Sequence, residues 1–428
     1  MDEKSSGKFE FERPNAAPFG SVLYQEHLKL TDKSHMAPFA GYLMPLWYSS
    51  ISAEHKAVRQ TAGIFDCTHM GVFEVAGADA VGFLNSVTTN QFNDLKLGSS
   101  RYSYILDAAG NVLDDIIAYR RAPDKFMLVV NAVNVPKMKA YFEGLRNDEI
   151  VIDADKPDRR LEHRPAMCDM SGSNAAGDCR VDIALQGPKS MDVLFALSRR
   201  KTFATHIADL EPFQFVDQDI QGVECLISRT GYTGAKIGFE FFVHPGTAPQ
   251  LWQLILHKAK PLGLVPCGLG ARDSLRIEAG LPLYGNELAG EFNISPFEAG
   301  YGWAVKLQKE FFIGKAAMEQ TARTYDMKVA RVDLPGAKGI RPVRKKDGVL
   351  NRDGKSIGWV LSCAKAGDRQ FALVYIGRES VKENDSVGIY YLARSQIQIQ
   401  QGRRQSVQKG ENLDADIVGT VVSRFAKF

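Results

Sequence analysis

The stretch that most constrains the fold runs from residue 101 to residue 132, where three strand-like segments follow one another directly. Strand-forming residues fill each segment, and short turns are predicted at Ala108-Ala109-Gly110 and at Ala122-Pro123-Asp124. Turns this short join antiparallel neighbours, because a parallel pair needs a long crossover connection. The sequence therefore predicts an antiparallel sheet in this part of the chain.

Helical segments flank these strands. Residues 51–65 carry apolar side chains at helical spacing, with Gly63 where the helix could end. Residues 78–90 and 135–145 also read as helices, and residues 71–77 alternate as one further strand. The order strand, helix, three strands, helix predicts an α+β fold with helices packed on one face of an antiparallel sheet.

The rest of the chain divides by composition. The polar residues 1–22 are expected to form a mobile extension, and the polar residues 153–180 a long loop or insertion. From residue 321 onward short strands and turns dominate, which is typical of a small all-β domain. We therefore predict an extension over 1–22, a main region over 23–320 and a C-terminal domain over 321–428.

Composition argues against several functional classes. The 428 residues carry a net charge of +3 with both signs mixed along the chain, so nucleic-acid binding is not expected. The six cysteines are scattered, without a CxxC pair or a histidine at zinc-ligand spacing, which predicts no metal site and reduced thiols in a cytoplasmic protein. The polar N-terminus and the lack of a long apolar run predict neither a signal segment nor membrane association.

Two adjacent acids, Asp114 and Asp115, interrupt the second predicted strand, GNVLDDIIAYR. Asp is depleted in strands, and a buried carboxylate without partners is costly or takes up a proton. Alternation sends the two side chains to opposite faces. A turn centred between Ala108 and Ala109 would place Tyr102 directly opposite Asp115, where the two groups could bind a polar heterocycle. The alternative, which the pattern favours, is that both acids lie at a solvated edge.

The segment RTGYTGAKIGFEFF contains two further candidates. Tyr232 stands between glycines that would let a backbone approach a ligand closely. Glu240 lies between Phe239 and Phe241, so alternation turns it away from both rings. In isolation, an amphipathic strand with Glu240 in water is the favoured interpretation.

The segment GLGARDSLRIEAG predicts a helix that begins near Ala271, with Arg272 in its first turn. The helix dipole disfavours a cation at that end, unless the arginine binds an anion together with the helix N-terminus. An intrahelical pair with Asp273 explains the arginine equally well.

The segment FDCTHM places Asp66, Cys67 and His69 close together in sequence, which raises the possibility of a catalytic triad. Alternation separates these side chains and no further partner is identifiable, so turn capping and core packing are favoured.

These segments, in this order, resemble the aminomethyltransferase family, the T protein of the glycine cleavage system. The resemblance extends from about residue 23 to residue 375, and GLGARDSLRIEAGLPLYGNEL is its most specific block. The other matching blocks are MAPFAGYLMPLWY, EHKAVRQTAGIFDCTHM, YSYILDAAGNVLDDIIAYR, LVVNAVN, ALQGPKS, SRTGYTG, SPFEAGYGWAVKLQKEFFIGK and DGKSIGWVLS.

The resemblance implies a three-lobed, cloverleaf-like α+β chain that binds tetrahydrofolate in a central hole and ends in a small β-barrel-like lobe. It implies that Asp115 is the catalytic aspartate near the folate nitrogens. The folate-binding residues that it implies are Tyr102, Asn131 and Tyr232 at the pterin, Glu240 fixing the pterin, Arg272 at the glutamyl tail and Met70 in the apolar wall.

The family activity implies transfer of a one-carbon unit from an aminomethyl-lipoyl carrier, the H protein, to tetrahydrofolate. Two alternatives share the fold: a folate-dependent demethylase of a small O-, N- or S-methyl compound, and a folate-binding iron–sulfur maintenance factor. The maintenance factor ranks last, because the region LQKEFFIGKAAM lacks the cysteine signature of those relatives. The segment AKIG after GYTG departs from the family's usual Glu-Asp-Gly and leaves the donor open between carrier and methyl compound.

Overall fold

The structure is a computed structural model and describes residues 7–171, 178–198, 200–426 and 428. Two compact units divide the chain. The first comprises the chain up to Gly231, Ala235–Gly270 and Trp303–Gln320, and the second comprises Tyr232–Gly234, Ala271–Gly302 and Thr321–Phe428. The domain boundaries predicted between residues 22 and 23 and between residues 320 and 321 remain predictions.

The helices and strands of the described residues follow in chain order. The helices are α1 Tyr24–Leu28, α2 Ile51–Gln60, α3 Ala80–Val87, α4 Val135–Arg146, α5 Ser190–Leu197, α6 Lys201–Ala208, α7 Ala248–Ala259, α8 Leu269–Ala279, α9 Lys315–Thr324 and α10 Gln396–Gln400. The strands are β1 Phe19–Gly20, β2 Met36–Phe39, β3 Tyr42–Pro45, β4 Ala62–Asp66, β5 Gly71–Ala76, β6 Ser100–Leu106, β7 Val112–Ala122, β8 Lys125–Val130, β9 Ala166–Asp169, β10 Val181–Gln186, β11 Phe215–Ile220, β12 Val223–Ser228, β13 Gly238–Val243, β14 Leu264–Cys267, β15 Met327–Pro335, β16 Gly348–Leu350, β17 Ser356–Ala366, β18 Arg369–Gly377, β19 Ser386–Tyr390 and β20 Ile417–Val422.

The three predicted consecutive strands form the antiparallel ladder β6-β7-β8 of a five-stranded sheet with the order β6-β7-β8-β5-β9. One face of this sheet packs against α3 and α4, where Ile116 and Ala118 of β7 meet Met138 and Tyr141 of α4. The predicted arrangement of helices on one face of an antiparallel sheet is therefore confirmed here.

A six-stranded sheet in the same unit has the order β11-β12-β13-β10-β4-β14, with only β14 parallel to its neighbour. Helices α5, α6 and α7 cover one face through a large apolar cluster that includes Trp252 and Phe241. The predicted hairpin of β12 and β13 is confirmed by its antiparallel register, in which Ser228 lies opposite Glu240.

The two sheets also share an apolar cluster on the faces that carry no helices. Val72 and Tyr119 of the first sheet pack there with Leu226 and Phe242 of the second. Both faces of these sheets are covered, so strands such as β10 and β13 are buried along their whole length. Such complete burial is typical of parallel sheets, although most pairs of strands here are antiparallel.

The second unit contains a closed barrel of six strands, with the order β15-β18-β17-β16-β19-β20. Its interior is filled by aliphatic side chains such as Val332, Val360 and Val374. The predicted β-barrel-like C-terminal domain and the mixed helix-and-sheet class are confirmed. The short strand β16 escaped prediction, because three residues give too little alternation to recognise. Within the described residues, no helix is both long and apolar enough to cross a membrane.

Two local predictions were wrong. Gly63 does not end α2; it lies in β4, where an added Cβ would stand 2.5 Å from Val58 and 2.6 Å from the Cys267 sulfur. Glycine is needed at that point because the helix and β14 approach the strand closely. The polar region 153–180 is not wholly a loop, since β9 pairs with β5 inside it; residues 172–177 of that region lie outside the described residues.

The expected mobility of the N-terminal extension is also contradicted for the part that the structure describes. The backbone N–H of Phe9 donates to Asp107 Oδ2 at 3.1 Å, and the Phe9 ring meets the Tyr141 ring edge-on with centroids 5.0 Å apart. Asp107 also accepts from the backbone and side chain of Asn111, both at 2.9 Å, so it holds the β6–β7 turn. The polar composition of the segment hid this aromatic contact.

We predict that Phe9→Ala lowers the free energy of unfolding by about 1–3 kcal/mol, because the ring is partly buried in the core under α4. Phe19→Ala is the matched control, since it removes the same side chain at a position that is 61 % exposed in the same segment. Urea unfolding at 25 °C measures both. Equal losses from the two variants would show that the Phe9 contact does not stabilise the fold.

Candidate functional site

The two acids of β7 occupy opposite faces of the five-stranded sheet. Asp114 lies on the helix-covered side with Ile116 and Ala118, whereas Asp115 shares the inter-sheet side with Ile117 and Tyr119. The predicted alternation is therefore confirmed. The favoured alternative of a solvated edge is wrong, because β7 is an inner strand, Asp114 is fully buried and Asp115 is half-buried.

Asp114 is surrounded by hydrogen-bond donors. Its Oδ1 accepts from the side-chain amides of Asn131 and Asn134, each at 2.7 Å, and from the backbone N–H of Asp115 at 3.0 Å. Its Oδ2 accepts from the backbone N–H of Asn131 at 3.2 Å. Asn134 precedes α4, whose N-terminal dipole favours an anion at this place. These partners compensate the cost of burying the carboxylate.

Asn131 joins the two carboxyls although they face opposite ways. It follows the last residue of β8, and its Nδ2 lies 2.7 Å from Asp114 Oδ1 and 2.7 Å from Asp115 Oδ1. Burial raises the pKa of both carboxyls, and the repulsion between two neighbouring negative charges opposes ionisation of both at once. Alternation alone sends the two acids to opposite faces, but the Asn131 bridge shows that they form one interacting pair.

Tyr102 reaches Asp115 by a different register from the one predicted. Tyr104 lies directly opposite Asp115, and Tyr102 lies opposite Ile117. The turn is centred one residue later than expected, because Asp107 and Asn111 close it and a bulge interrupts the ladder after Ile105. Tyr102 stays on the face of Asp115, and its hydroxyl donates to Asp115 Oδ2 at 2.9 Å. The predicted contact is confirmed as a diagonal pair rather than a direct one.

Two neighbours of Tyr102 escaped the sequence analysis. The Trp303 ring, 53 % exposed, lies with its centroid 6.0 Å from that of Tyr102. Buried Lys309 donates to the carbonyls of Thr88 and Asn90 at 2.7 and 2.9 Å, and the Asn90 side chain donates to the Tyr102 carbonyl at 2.8 Å. Burial lowers the pKa of Lys309 to about 7. The signal in the sequence was the presence of Trp303 and Lys309 in a block that resembles the family, SPFEAGYGWAVKLQKEFFIGK.

Glu240 faces away from Phe239 and Phe241, as alternation predicts, but it does not lie in water. It is 8 % exposed, accepts a short hydrogen bond from the Thr230 hydroxyl and lies 3.5 Å from the Tyr119 hydroxyl. Burial and the Glu240 charge raise the pKa of Tyr119 well above its usual value. Met70 packs against the same apolar cluster, which agrees with its predicted place in an apolar wall.

Tyr232 and Arg272 come together in the second unit. The Arg272 guanidinium lies 5.1 Å from the centroid of the Tyr232 ring, and the Tyr232 hydroxyl donates to the Pro282 carbonyl at 2.6 Å. The helix begins at Leu269, two residues before the predicted start, so Arg272 remains in its first turn. Asp273 pairs with Arg276 at 2.8 Å.

The FDCTHM segment supplies a buried network instead of a triad with Cys67. Asp66 Oδ2 lies 2.7 Å from His27 Nε2 and accepts from the Ser21 hydroxyl at 2.7 Å. His27 Nδ1 lies 2.8 Å from the Tyr48 hydroxyl. The Asp66 and His27 side chains are almost completely buried, so this network ties α1 to β4 and offers no reacting group to a substrate. In the part of the chain that the structure describes, no group of three His, Cys, Asp or Glu side chains could hold a metal ion.

Comparison with known proteins identifies relatives over most of the chain. The profile of the GCVT N-terminal domain family matches residues 23–309. The chain is 37 % identical to an aminomethyltransferase of Desulfitobacterium hafniense strain Y51 over 345 residues, which cover 79 % of this chain and 84 % of the relative. It is 42 % identical to an aminomethyltransferase of Halalkalibacterium halodurans over 283 residues, or 66 % of this chain and 70 % of the relative.

A solved structure agrees with these matches. The crystal structure of glycine cleavage system aminomethyltransferase T from Bartonella henselae superposes with a TM-score of 0.73 at 29 % identity. The similarity covers 96 % of this chain and 99 % of that chain. The likeness of fold therefore extends through the barrel, beyond the residues that the family profile matches.

The Asp66 network gives a pH prediction. Burial raises the pKa of Asp66, but the His27 hydrogen bond and charge outweigh this and lower it from 3.8 to about 2. Its stabilising contribution is thus complete above the unfolded pKa and is lost as the pH falls toward 2. We expect Asp66→Asn to lower the free energy of unfolding, with a difference from wild type about 1 kcal/mol smaller at pH 3 than at pH 6.

Asp158→Asn serves as the control, because Asp158 is exposed and lies in a loop. Urea unfolding of the three proteins at both pH values measures the effect. If the difference in the free energy of unfolding between wild type and Asp66→Asn stays constant with pH, the lowered pKa of Asp66 is contradicted.

Proposed function

The chain belongs to the aminomethyltransferase family of enzymes, and we propose that it transfers a one-carbon unit from an aminomethyl-lipoyl carrier protein to tetrahydrofolate. The products are methylene-tetrahydrofolate, ammonia and the dihydrolipoyl carrier, which is one step of glycine cleavage. The carrier and folate are therefore the proposed partners, and the cytoplasm is the proposed setting.

The proposed reaction exchanges two bonds at one carbon. The carbon leaves the lipoyl sulfur and the amine and forms bonds to two folate nitrogens. Each folate nitrogen gives up one proton; one proton goes to the departing amine, which leaves as ammonia, and the other goes to the sulfur. A protein that holds this carbon next to the folate nitrogens gains much of the rate by proximity, and one positioned acid-base group moves the protons.

The observation that carries the proposal is the placement of Asp115. It is half-buried on the face shared by the two sheets, its Oδ2 is hydrogen-bonded to Tyr102 and its Oδ1 to Asn131. We propose that Asp115 orients the folate nitrogens and handles their protons, with Tyr102 and Asn131 holding its carboxyl in place. Hydrogen bonds on both carboxyl oxygens leave it a single orientation, which such a role requires.

Glu240 and Met70 are proposed to bind the pterin ring. A reduced pterin presents ring and amino N–H donors, which suit a carboxylate, and flat apolar faces, which suit a thioether side chain. Glu240 is held by Thr230 within apolar surroundings, and Met70 packs against the neighbouring apolar cluster. Both features support this assignment.

Tyr232 and Arg272 are proposed to bind the remaining parts of folate, Tyr232 at the pterin and Arg272 at the glutamyl carboxylates. The Arg272 guanidinium lies near the start of α8 and next to the Tyr232 ring. A guanidinium at a helix N-terminus can bind a carboxylate jointly with the free backbone N–H groups, which supports the tail assignment.

We expect Asp115→Asn to lower turnover at least about 100-fold, the scale of a lost acid-base group. The fold should persist, because the amide can still bond Tyr102 and Asn131. Asp217→Asn is the matched control: Asp217 is also a strand aspartate, but it is exposed on the edge strand β11. Turnover of Asp115→Asn near that of Asp217→Asn, with both proteins folded by circular dichroism, would reject the assignment.

The one-carbon donor is tested by running the reaction backwards. The protein is mixed with methylene-tetrahydrofolate, ammonia and a reduced lipoyl carrier, and the carrier is then weighed by mass spectrometry. We expect the lipoyl arm to gain an aminomethyl group, whereas a carrier without lipoate should gain nothing. A carrier that stays unmodified, together with tetrahydrofolate that gains a methyl group from a methylated small molecule in a parallel assay, would make the protein a demethylase. The relatives favour neither that activity nor the iron–sulfur maintenance role.

A further inference from the structure

We propose that Asp114 is a fixed anion that keeps a proton on its neighbour Asp115, and that Asp114 is therefore a positioning residue for the proton transfers of this site. The inference rests on the proposed function only for the step in which Asp115 gives its proton to the departing amine. The location of the proton itself follows from the hydrogen bonds around the two carboxyls.

The surroundings of Asp114 accept no proton from it. Within the described residues, the four groups that bond its oxygens are all N–H donors, namely the backbone of Asp115 and of Asn131 and the side-chain amides of Asn131 and Asn134. An ionised carboxylate accepts all four bonds, whereas a protonated carboxyl would turn an O–H toward a donor. The nearby N-terminus of α4 adds a further preference for negative charge.

The surroundings of Asp115 differ in one decisive partner. The Tyr102 hydroxyl lies 2.9 Å from Asp115 Oδ2 and can either donate or accept. A proton on Oδ2 can therefore point to the Tyr102 oxygen, while Oδ1 continues to accept from Asn131 at 2.7 Å. Of the two carboxyls, only Asp115 can hold the proton without losing a hydrogen bond.

The other charged and titratable groups around the pair agree with this distribution. Lys137 of α4 interacts electrostatically with Asp114 and favours its anionic form. Arg13 of the N-terminal segment and Asp107 of the β6–β7 turn act on Lys137 with opposite signs. Tyr104 lies opposite Asp115 in the ladder. The Lys137 cation thus favours the anionic form of Asp114.

Two buried carboxyls this close share a proton over a range of pH, and the pKa of each is raised by burial. When the pair holds one proton, its negative charge lies on Asp114 and the proton lies on Asp115. In the proposed reaction, the carbon–amine bond breaks with its electrons on nitrogen, and Asp115 gives its proton to the departing amine. The folate nitrogen that bonds to the carbon returns its own proton to Asp115, so the pair ends as it began.

Infrared difference spectroscopy locates the proton without any assay of activity. The wild-type protein should show the C=O stretch of a protonated buried carboxyl over the pH range in which the pair holds one proton. That band should vanish in Asp115→Asn. In Asp114→Asn the band should be present, but as the pH rises it should disappear at a lower pH than in the wild-type protein. A band that vanishes in Asp114→Asn and persists in Asp115→Asn would place the proton on Asp114 and overturn the proposal. Because the band is read without substrate, this result does not depend on the proposed function.

The pH profile of turnover supplies a second test with two variants that weaken the Asp114 anion to different degrees. Asp114→Asn should move the inflection that belongs to Asp115 down by at least about 1 pH unit, because a neighbouring negative charge is removed. Asn134→Ala should move it in the same direction by a smaller amount, since Asp114 loses one donor and the anion that holds the proton on Asp115 is less favoured. A purely structural role for Asp114 would lower turnover at every pH and leave the inflection in place, and that result would refute the proposal. If Asp114→Asn does not fold, Asn134→Ala still decides by the direction of its shift.

Discussion

The amide of Asn131 is the contact on which the candidate site depends. Two carboxyls on adjacent positions of an inner strand would be costly to bury alone, and one side-chain nitrogen within 2.7 Å of both makes the arrangement possible. The rest of the local structure serves this contact. Strand β8 ends immediately before Asn131, the segment after it supplies Asn134, and α4 then turns its N-terminus toward Asp114.

The same arrangement explains why the strand carries two acids. The inter-sheet face needs a polar group that can reach a ligand, and Asp115 supplies it among apolar neighbours such as Ile117. The helix-covered face needs no ligand contact, and there Asp114 is fixed by donors alone. In the proposed arrangement, β7 therefore carries a transferable proton on Asp115 at one face and a fixed negative charge on Asp114 at the other.

Elements in which apolar and polar residues alternate regularly could be predicted from the sequence, whereas contacts between distant parts of the chain could not. The alternation of β7 and β13 correctly gave the faces of Asp115 and Glu240. It could not show that Glu240 is buried, because burial depends on a second sheet whose strands lie elsewhere in the chain. The strand partner of Tyr102 was missed by two residues, because closure of the turn by Asp107 and Asn111 depends on side chains rather than on strand propensity.

Polar residues in irregular segments gave the weakest signals. Nothing in the spacing of Asn131 and Asn134 indicated that both reach Asp114, and the Phe9 anchor lay in a segment that reads as a polar tail. Site residues were identified by resemblance to a family rather than by periodicity, and their assignment to folate remains a proposal. The buried pair of Asp66 and His27 illustrates the opposite risk, since a triad-like composition there serves the packing of α1 on β4.

The most direct test of the account is a crystal structure of the protein with tetrahydrofolate bound. The account predicts that a reacting folate nitrogen lies within hydrogen-bond distance of the Asp115 carboxyl, about 3 Å. It also predicts that Asn131 keeps its bonds to both acids and that the pterin meets Glu240. A folate molecule bound away from β7, or one that leaves Asp115 bonded only to Tyr102 and Asn131, would contradict the central claim.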